Sequence, residues 1–325
     1  MTDRQLQQMS QRYFGMPPKF DPEEGITVFE PEGDKYGFWV GGHNVVFDPE
    51  EKKFFLYYRI RSPLGKGRGA KCRIAESTDG IHFANIWEGT KEELNANSIE
   101  VATIIRDPIT GRWRLYISYE DSVIGTWRID LVEANHPKNF DLLHHRTVID
   151  GGIFGLRSVK DPKVYIIGGL YHAFVITGAE TSYGEDSQGT RHARGDGDRT
   201  GLMRSEDGIY WRDLKFIFEP GKGSQGEWGH YRARITSILW IEPLWVGFFD
   251  GGESCYDNYE EWCGVVLSHD LEHWRRLSRN GPWVRSPHGC IRYMDALRVG
   301  NEIFYYYEYT RENGSHELRM NKVGL

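Results

Sequence analysis

The sequence predicts an all-β fold made of repeated four-stranded antiparallel sheets, and three observations lead there. A short phrase recurs as "STDGIHF" (77–83), "SEDGIYW" (205–211) and "SHDLEHW" (268–274), each copy ending in a large aromatic. A longer unit, an apolar strand, a turn and an aromatic-rich strand, recurs five times: 44–61, 102–121, 161–177, 234–250 and 295–310. Aromatics make up 14% of the 325 residues and there are 38 Gly, a mixture typical of aromatic strands joined by glycine turns.

Within each unit the first two strands read directly from sequences such as "NVVFDPEEKKFFLYYRIR" (44–61) and "ATIIRDPITGRWRLYISYED" (102–121). The Asp-Gly phrase then supplies a turn between a third and a fourth strand. Asp79 and Asp207 lie 128 residues apart, whereas Asp207 and Asp270 lie 63 apart, so a weakened copy is expected between the first two. "VEANHPKNF" (132–140) fills that place, with Phe140 as its aromatic. A spacing of roughly 55–70 residues suits a four-stranded sheet, and five sheets around an axis make a five-bladed β-propeller. The last blade, with strands near 291–299, 303–310 and 316–323, stops one strand short. The strand-like "ITVFEP" (26–31) is expected to supply that outer strand, closing the ring and covering an edge. The domain reading is therefore an N-terminal extension, 1–25, with a short helix over 3–14, and a propeller catalytic domain, 26–325.

Charge and composition exclude several classes. A net charge of −7 and a pI near 6.0 disfavour nucleic-acid binding, which needs a basic surface. No apolar run approaches the ~20 residues of a membrane span. The start, "MTDRQLQQMSQRYFGM", lacks a signal-peptide pattern, so a cytoplasmic protein is expected. Cys72, Cys255, Cys263 and Cys290 show no CxxC spacing and read as reduced thiols rather than a disulfide frame or zinc site.

Loop lengths separate the two ends of the ring. Connections between first and second strands are short, as are the Asp-Gly turns, and both lie at one end. Long segments such as 61–71, 178–201, 219–230 and 250–262 gather at the other. Scaffolds vary the loops that bind, so the pocket is expected at the long-loop end, where each first strand begins.

At this point a family group becomes visible. The "DPxV" strand start, the aromatic second strands and the S-x-D-x-x-x-W turn resemble the five-bladed glycosidases. These comprise glycoside hydrolase families 43, 32, 62 and 68 and the family 130 hydrolases and phosphorylases. The resemblance spans roughly residues 26–325 and implies carboxylates at the inner-strand starts, around a funnel. Glycosidic cleavage needs one protonated carboxyl for the leaving oxygen and one carboxylate to activate water or attack the anomeric carbon. Their surroundings must push their proton affinities apart.

The inner-strand starts read "GGHNVV", "NSIEVA", "SVKDPKV", "HYRARIT" and "CIRYMDA". Asp161 best matches the family pattern and is assigned the general base. Glu100 is assigned the general acid. Asp295 is a third catalytic candidate, or pairs with Arg292 or Arg298. The chain departs from family 43 where His43 and Asn44 replace an Asp, and from family 130 where Glu100-Val101-Ala102-Thr103 replaces Glu-Asp-Pro-Arg. His43 and Asn44 are then expected to contact substrate.

Second-strand exits bring Glu120, Asp121, Asp250, Glu253 and Glu308 to the same end. Glu308 is a substrate contact. Asp250 is one too, beside Gly251 and Gly252 that let backbone approach a ligand, or else it is a solvated loop acid. Arg59, Arg61, Arg157, Arg232, Arg234, Arg292 and Arg311, with His43, His230 and His288, suggest recognition of an anion such as a uronic acid, a sulfated sugar or phosphate, or else pairing with acids across blades. Arg59, Arg232, Arg234 and Arg292 are the expected substrate contacts among them. "GKGRGAK" (65–71) lacks the P-loop ending and reads as a basic lid. Trp228 and Tyr231 are sugar-stacking candidates. No cofactor or metal set is expected, although His43 or His288 could hold a calcium or chloride on the axis. The combined expectation is an inverting glycoside hydrolase acting on a carbohydrate, anionic sugars included. The alternatives are a glycoside phosphorylase and a non-catalytic carbohydrate-binding propeller.

Overall fold

The computed structural model describes residues 15–325 except 157, 179–182, 186–190, 194–196, 221–227, 230, 254–256 and 258. The helix expected over 3–14 and the candidates Arg157 and His230 lie outside the described residues. Within them the protein is all-β, and helical structure is confined to single turns of 3-10 helix, as at Pro22–Glu24.

β1 (Ile26–Phe29) stands apart from the strands that follow it in sequence. The first antiparallel sheet is β2 (Trp39–Asp48), β3 (Lys53–Arg61), β4 (Gly69–Ser77) and β5 (Ala84–Thr90). The second is β6 (Ala96–Arg106), β7 (Trp113–Asp121), β8 (Trp127–Ala134) and β9 (Arg146–Asp150). In the third, β10 (Lys160–Ile167) and β11 (Leu170–Gly178) are followed by a side hairpin, β12 (Tyr183–Glu185) and β13 (Arg191–Ala193). The sheet resumes with β14 (Asp198–Ser205) and β15 (Arg212–Phe218). The fourth is β16 (Arg232–Ile241), β17 (Leu244–Gly252), β18 (Trp262–Ser268) and the short β19 (Arg275–Arg276). The fifth is β20 (Ile291–Val299), β21 (Glu302–Thr310) and β22 (His316–Gly324), and β1 pairs antiparallel with the outer edge of β22.

The hydrophobic core is distributed between sheets. Five clusters form, and each joins two sheets. Phe55 and Tyr57 meet Ile99 and Leu115, Tyr116 and Ile129 meet Val164 and Met203, and Phe174 and Leu202 meet Ile235 and Phe249. Val246 and Phe248 meet Ile291 and Tyr305, and Tyr306 and Leu318 meet Val40 and Leu56 of the first sheet. This arrangement explains the aromatic-rich second strands: a side chain there has a sheet on either side and must fill wide interlayer space.

The recurring phrase has two jobs. In each copy the serine Oγ accepts an N–H three residues on, from Gly80, Gly208 or Leu271, and the aspartate accepts the next two N–H groups. The turn then docks on a neighbouring sheet: Tyr306 donates to the Gly80 carbonyl at 2.5 Å and Tyr116 to that of Gly208 at 2.9 Å. Gly80 and Gly208 take φ of 73° and 72°, in the left-handed region. Leu271 occupies the same place in the third copy with φ 69°, and its buried side chain packs in the cluster of Phe174, which compensates for the strain.

A second set of bonds links the inner strands. Val45 N–H donates to Asp295, Ile104 N–H to Asn44, Val164 N–H to Thr103, Ile238 N–H to the Tyr165 hydroxyl and Ala296 N–H to Ser237, at 2.9–3.3 Å. The bonds run from β2 to β6, β10, β16 and β20 and return to β2. Asn44 also donates to Asp295 at 2.9 Å. Asn44→Ala is therefore expected to destabilise the fold by about 1–3 kcal/mol, because the Ile104 N–H is left buried without an acceptor. Urea unfolding at fixed pH checks this, and unchanged stability would show that Asn44 has no such role.

Candidate active site

Each inner strand is interrupted by a bulge near its start. Register shifts fall between Gly41 and Asn44, Ile99 and Ala102, Lys160 and Lys163, Ile235 and Ser237, and Arg292 and Asp295. The extra residues are Gly42–His43, Glu100–Val101, Asp161–Pro162, Thr236 and Tyr293–Met294. A bulge re-aims side chains, so these five places decide what the strands present to one another. Gly42, Asp161 and Tyr293 there take φ of 58°, 53° and 54°. For Asp161, which precedes Pro162, and for bulky Tyr293 this backbone is strained. Asp250 accepts the Tyr293 N–H at 2.9 Å and so clamps that bulge.

Asp161 and Asp250 line one small buried cavity, walled also by Val101, Lys163, Arg234, Thr236 and Tyr293. Both Asp161 carboxylate oxygens and Asp250 Oδ2 lack hydrogen-bond partners. Lys160 Nζ lies 3.5 Å from Asp161. Burial raises the Asp250 carboxyl to about 7: Arg234 opposes the rise, and Glu261 reinforces it. The reading of Asp250 as a solvated loop acid is thus corrected, since the residue is wholly buried. Gly251 does not serve a ligand either: a Cβ there would lie 2.7 Å from the Trp228 ring.

Around this cavity runs a buried network of ion pairs. Arg59 binds Glu100 closely and lies 3.5 Å from Glu308. Arg61 reaches Glu100 at 3.3 Å and stacks over Trp39 and Tyr259. Arg292 contacts Glu308 at 2.5 Å and Glu261 at 3.0 Å. Arg234 pairs closely with Glu261 and lies 3.6 Å from Asp250, while Arg232 pairs with Asp198. Burial alone would raise the Glu100 carboxyl, but Arg59 and Arg61 outweigh it and hold it near about 2. The Glu308 and Glu261 carboxyls, also buried, are pulled well below the usual range, Glu308 by Arg292 and His316, Glu261 by Arg234 and Arg292.

Several expectations change accordingly. Glu100 sits at the site but is held ionised by two guanidinium groups, so it lacks the proton a general acid needs. Asp295 lies beyond its bulge and accepts from Asn44 and Val45, with Lys163 at 3.6 Å; it pairs with neither Arg292 nor Arg298, and its bonds are those of a strand-to-strand tie. Asn44 belongs to the same tie. Arg59, Arg232, Arg234, Arg292 and Glu308 do converge here, but as buried, mutually neutralising pairs rather than open mouth groups. Trp228 packs against Phe249 in the core and Tyr231 is buried beside Arg232, so neither offers an open stacking face. Elsewhere, Glu120 pairs with Arg68, Asp121 caps its own turn, Arg311 pairs with Glu317 and Glu30, and His288 is exposed. His43 is fully buried with both ring nitrogens unpartnered, and burial and Lys163 lower it to about 4, so it is a neutral imidazole. Sequence reasoning missed Glu261 and Asp198, which sit where the third strands of the fourth and third sheets begin.

A larger cavity lies elsewhere. About 710 Å³ opens among the short-turn halves of all five inner strands, with Val45, Ile104, Val164, Ile238 and Leu297 among its walls. Its four acids are all engaged: Asp48 and Asp107 cap their own turns, Glu50 pairs with Arg106, and Asp295 accepts from Asn44 and Val45. Much of the long-loop end falls outside the described residues.

No family model matches the chain, and no curated protein matches it. Solved structures do. A thermostable family-43 glycoside hydrolase is similar at 15% identity over 92% of this chain and 93% of its own, with a TM-score of 0.64. A protein from the family 130 mannoside phosphorylases, a family containing hydrolases that target β-1,2-mannosidic linkages in Candida mannan, matches at 14% identity, covering 94% and 96%, with a TM-score of 0.61. The β-1,2-mannobiose phosphorylase of Listeria innocua matches at 13% identity, covering 92% and 94%, with a TM-score of 0.61. The chain thus shares the fold of the β-propeller glycosidases, the group its sequence resembles.

The Asp250 carboxyl makes stability depend on pH. Its proton affinity is higher folded than unfolded, so its contribution is fully present below about pH 4 and is lost as pH rises to about 7. Relative to wild type, Asp250→Asn is expected to flatten this decline by a few kcal/mol, on the order of what its shift implies. Urea midpoints measured across that range for both proteins check the sign, and parallel profiles would contradict it.

Proposed function

We propose that the protein is a carbohydrate-active enzyme that hydrolyses a glycosidic bond, with Asp250 as general acid and Asp161 as the base that activates water. The observation that carries this reading is the shared buried cavity, onto which two carboxyls present unpartnered oxygens. Asp250 can hold a proton near neutral pH. Asp161 has the Lys160 ammonium beside it to balance a negative charge. Acid and base roles divide between two carboxyls whose proton affinities differ, and the raised Asp250 carboxyl is suited to the acid role. We infer inversion, since water rather than a side chain is then the nucleophile.

The scaffold under this reading is a closed propeller of five blades. Five sheets, five intersheet cores and a circuit of inner-strand bonds support it, and β1 is the strand that completes the last blade. The polar atoms left without partners support a sugar as ligand. They include donors, at Arg61 and Arg232, and acceptors, at Asp161 and Asp250. Hydroxyl groups both donate and accept, so a polyol satisfies such a mixed set where a simple anion would satisfy only the donors. Glu100, Glu261, Glu308 and Asp198 offset four of the five guanidinium charges, which favours a neutral sugar over a multiply charged one.

A phosphorylase reading is kept by one observation: Arg61 Nη2 and Arg232 Nη2 have no acceptor and are the donors phosphate would use. Turnover of aryl glycosides and oligosaccharides with and without phosphate separates the two. In that assay Asp161→Asn and Asp250→Asn are each expected to lower kcat by about 10²–10⁴-fold with the fold retained. The wild-type rate should fall as pH rises past about 7, where Asp250 loses its proton. Wild-type rates in both variants would overturn the assignment, and sugar binding without turnover would favour a non-catalytic carbohydrate-binding protein.

A further inference from the structure

Beside the ion-pair network lies a cluster that the proposed reaction does not use. Glu260 precedes β18, Cys290 precedes β20 and His316 opens β22, and one donor atom from each lies within 4.8 Å of the others. His316 Nε2 is 3.2 Å from Glu260 Oε1, and Cys290 Sγ is 3.7 Å from His316 Nδ1. The geometry points to a binding site for a divalent first-row transition metal, zinc above all, held by the Glu260 carboxylate, the Cys290 thiolate and the His316 imidazole. This inference stands whether or not the glycosidic reading holds.

Four features support it. Tetrahedral zinc with bonds of about 2.0–2.3 Å puts its donors roughly 3.3–3.8 Å apart, so three donors within 4.8 Å of one another reach bonding distance by closing at most about 1 Å. His316 Nδ1 lies 2.7 Å from Glu308, which fixes the ring and directs Nε2 at Glu260, as a carboxylate behind a metal-ligating histidine does. Thr310 Oγ1 lies 2.9 Å from Glu260 Oε2 and 3.1 Å from Cys290 Sγ, in position to orient both donors. Cys290 and His316 are buried, whereas the Glu260 side chain is 32% exposed, which gives an ion a way in and water a fourth coordination place.

The Cys290 sulfur binds a divalent ion as the thiolate, so its thiol proton is released on binding. A mixed set of sulfur, nitrogen and oxygen suits zinc or cobalt and disfavours calcium or magnesium, which take oxygen ligands. Because the donors come from three separate elements, no local cysteine or histidine spacing announces the site.

The test is titration of the tag-free, reduced full-length chain with Co²⁺ under anaerobic conditions. The expected result is one ion per chain with a near-ultraviolet thiolate-to-cobalt charge-transfer band, displaced by Zn²⁺. The band should vanish in Cys290→Ser and persist in Cys72→Ala, while Thr310→Val should weaken affinity by about 10–100-fold. If Cys290→Ser does not fold, Glu260→Gln, at a half-exposed position, must abolish or sharply weaken the band. A wild-type chain that gives no such band, or a band that survives removal of Cys290 or is unmoved by Glu260→Gln, overturns the proposal.

Discussion

An inner strand has one edge without a partner strand, and the rest of the molecule depends on how that edge is satisfied. Buried backbone N–H groups are costly to leave unpaired. Here the acceptors are side chains of the neighbouring inner strand: an aspartate, an asparagine, a threonine, a tyrosine and a serine, each serving the next strand in the circuit. The residue types differ because distance and neighbours differ, but the role is common to all five. Asp295 shows how strong the requirement is. It spends one carboxylate oxygen on Val45 N–H and Asn44, which fixes the fifth sheet against the first and removes the acid from chemistry.

The bulges follow from the same constraint. With register pinned by these ties, the extra residues on each strand must turn out of the ladder, and they do so one step nearer the strand start. That places Glu100 among guanidinium groups of the first sheet and Asp161 beside the ammonium of Lys160, its neighbour in the same strand. Burying so many charges costs several kcal/mol per ion unless each is matched. Arg59, Arg61, Arg232, Arg234 and Arg292 face four close carboxylates, and two further acids, Asp161 and Asp250, lie at the cavity. Burial raises the Asp250 carboxyl, and Arg234 does not cancel the rise because its closer contact is with Glu261. The raised proton affinity of Asp250 thus follows first from burial and then from how the network divides its cations.

Much of the sheet architecture was legible in the sequence because its signals are local. The Ser-x-Asp turn needs only the bonds within seven residues, and the five paired strands follow from alternation and aromatic content. The site was less legible because its logic crosses sheets. Nothing near Glu100 reveals that Arg59 and Arg61, some forty positions earlier, will neutralise it. Asp295 and Asn44 read as site residues because a polar residue in an inner strand looks the same whether it binds a ligand or a backbone. Trp228 read as a sugar platform because an aromatic after a glycine loop gives no hint that Gly251 and Gly264 leave room for it in the core. A signal for the missed residues did exist. The third strand of one sheet begins beside the first strand of the next, through the parallel contacts Asp198–Arg232, Trp262–Ile291 and His316–Trp39. Charged residues at third-strand starts should therefore be read together with arginines at the following first-strand starts. That rule recovers Asp198 with Arg232, and Glu261 with Arg292.

The tie residues also divide the interior into two unlike spaces. Asn44, Thr103, Tyr165 and Asp295 border the apolar cavity at the short-turn side, while the bulge residues one step away border the charged one. A layer whose polar groups are spent on one another is a poor path for a proton and a poor host for a substrate. Under the proposed hydrolysis, it therefore keeps the chemistry on the bulge side. Because four of the five ties join a backbone N–H to an uncharged side chain, the residues above them can change without loosening the sheets. Fold and reaction are uncoupled at that layer, and function must be argued from the side chains at the bulges.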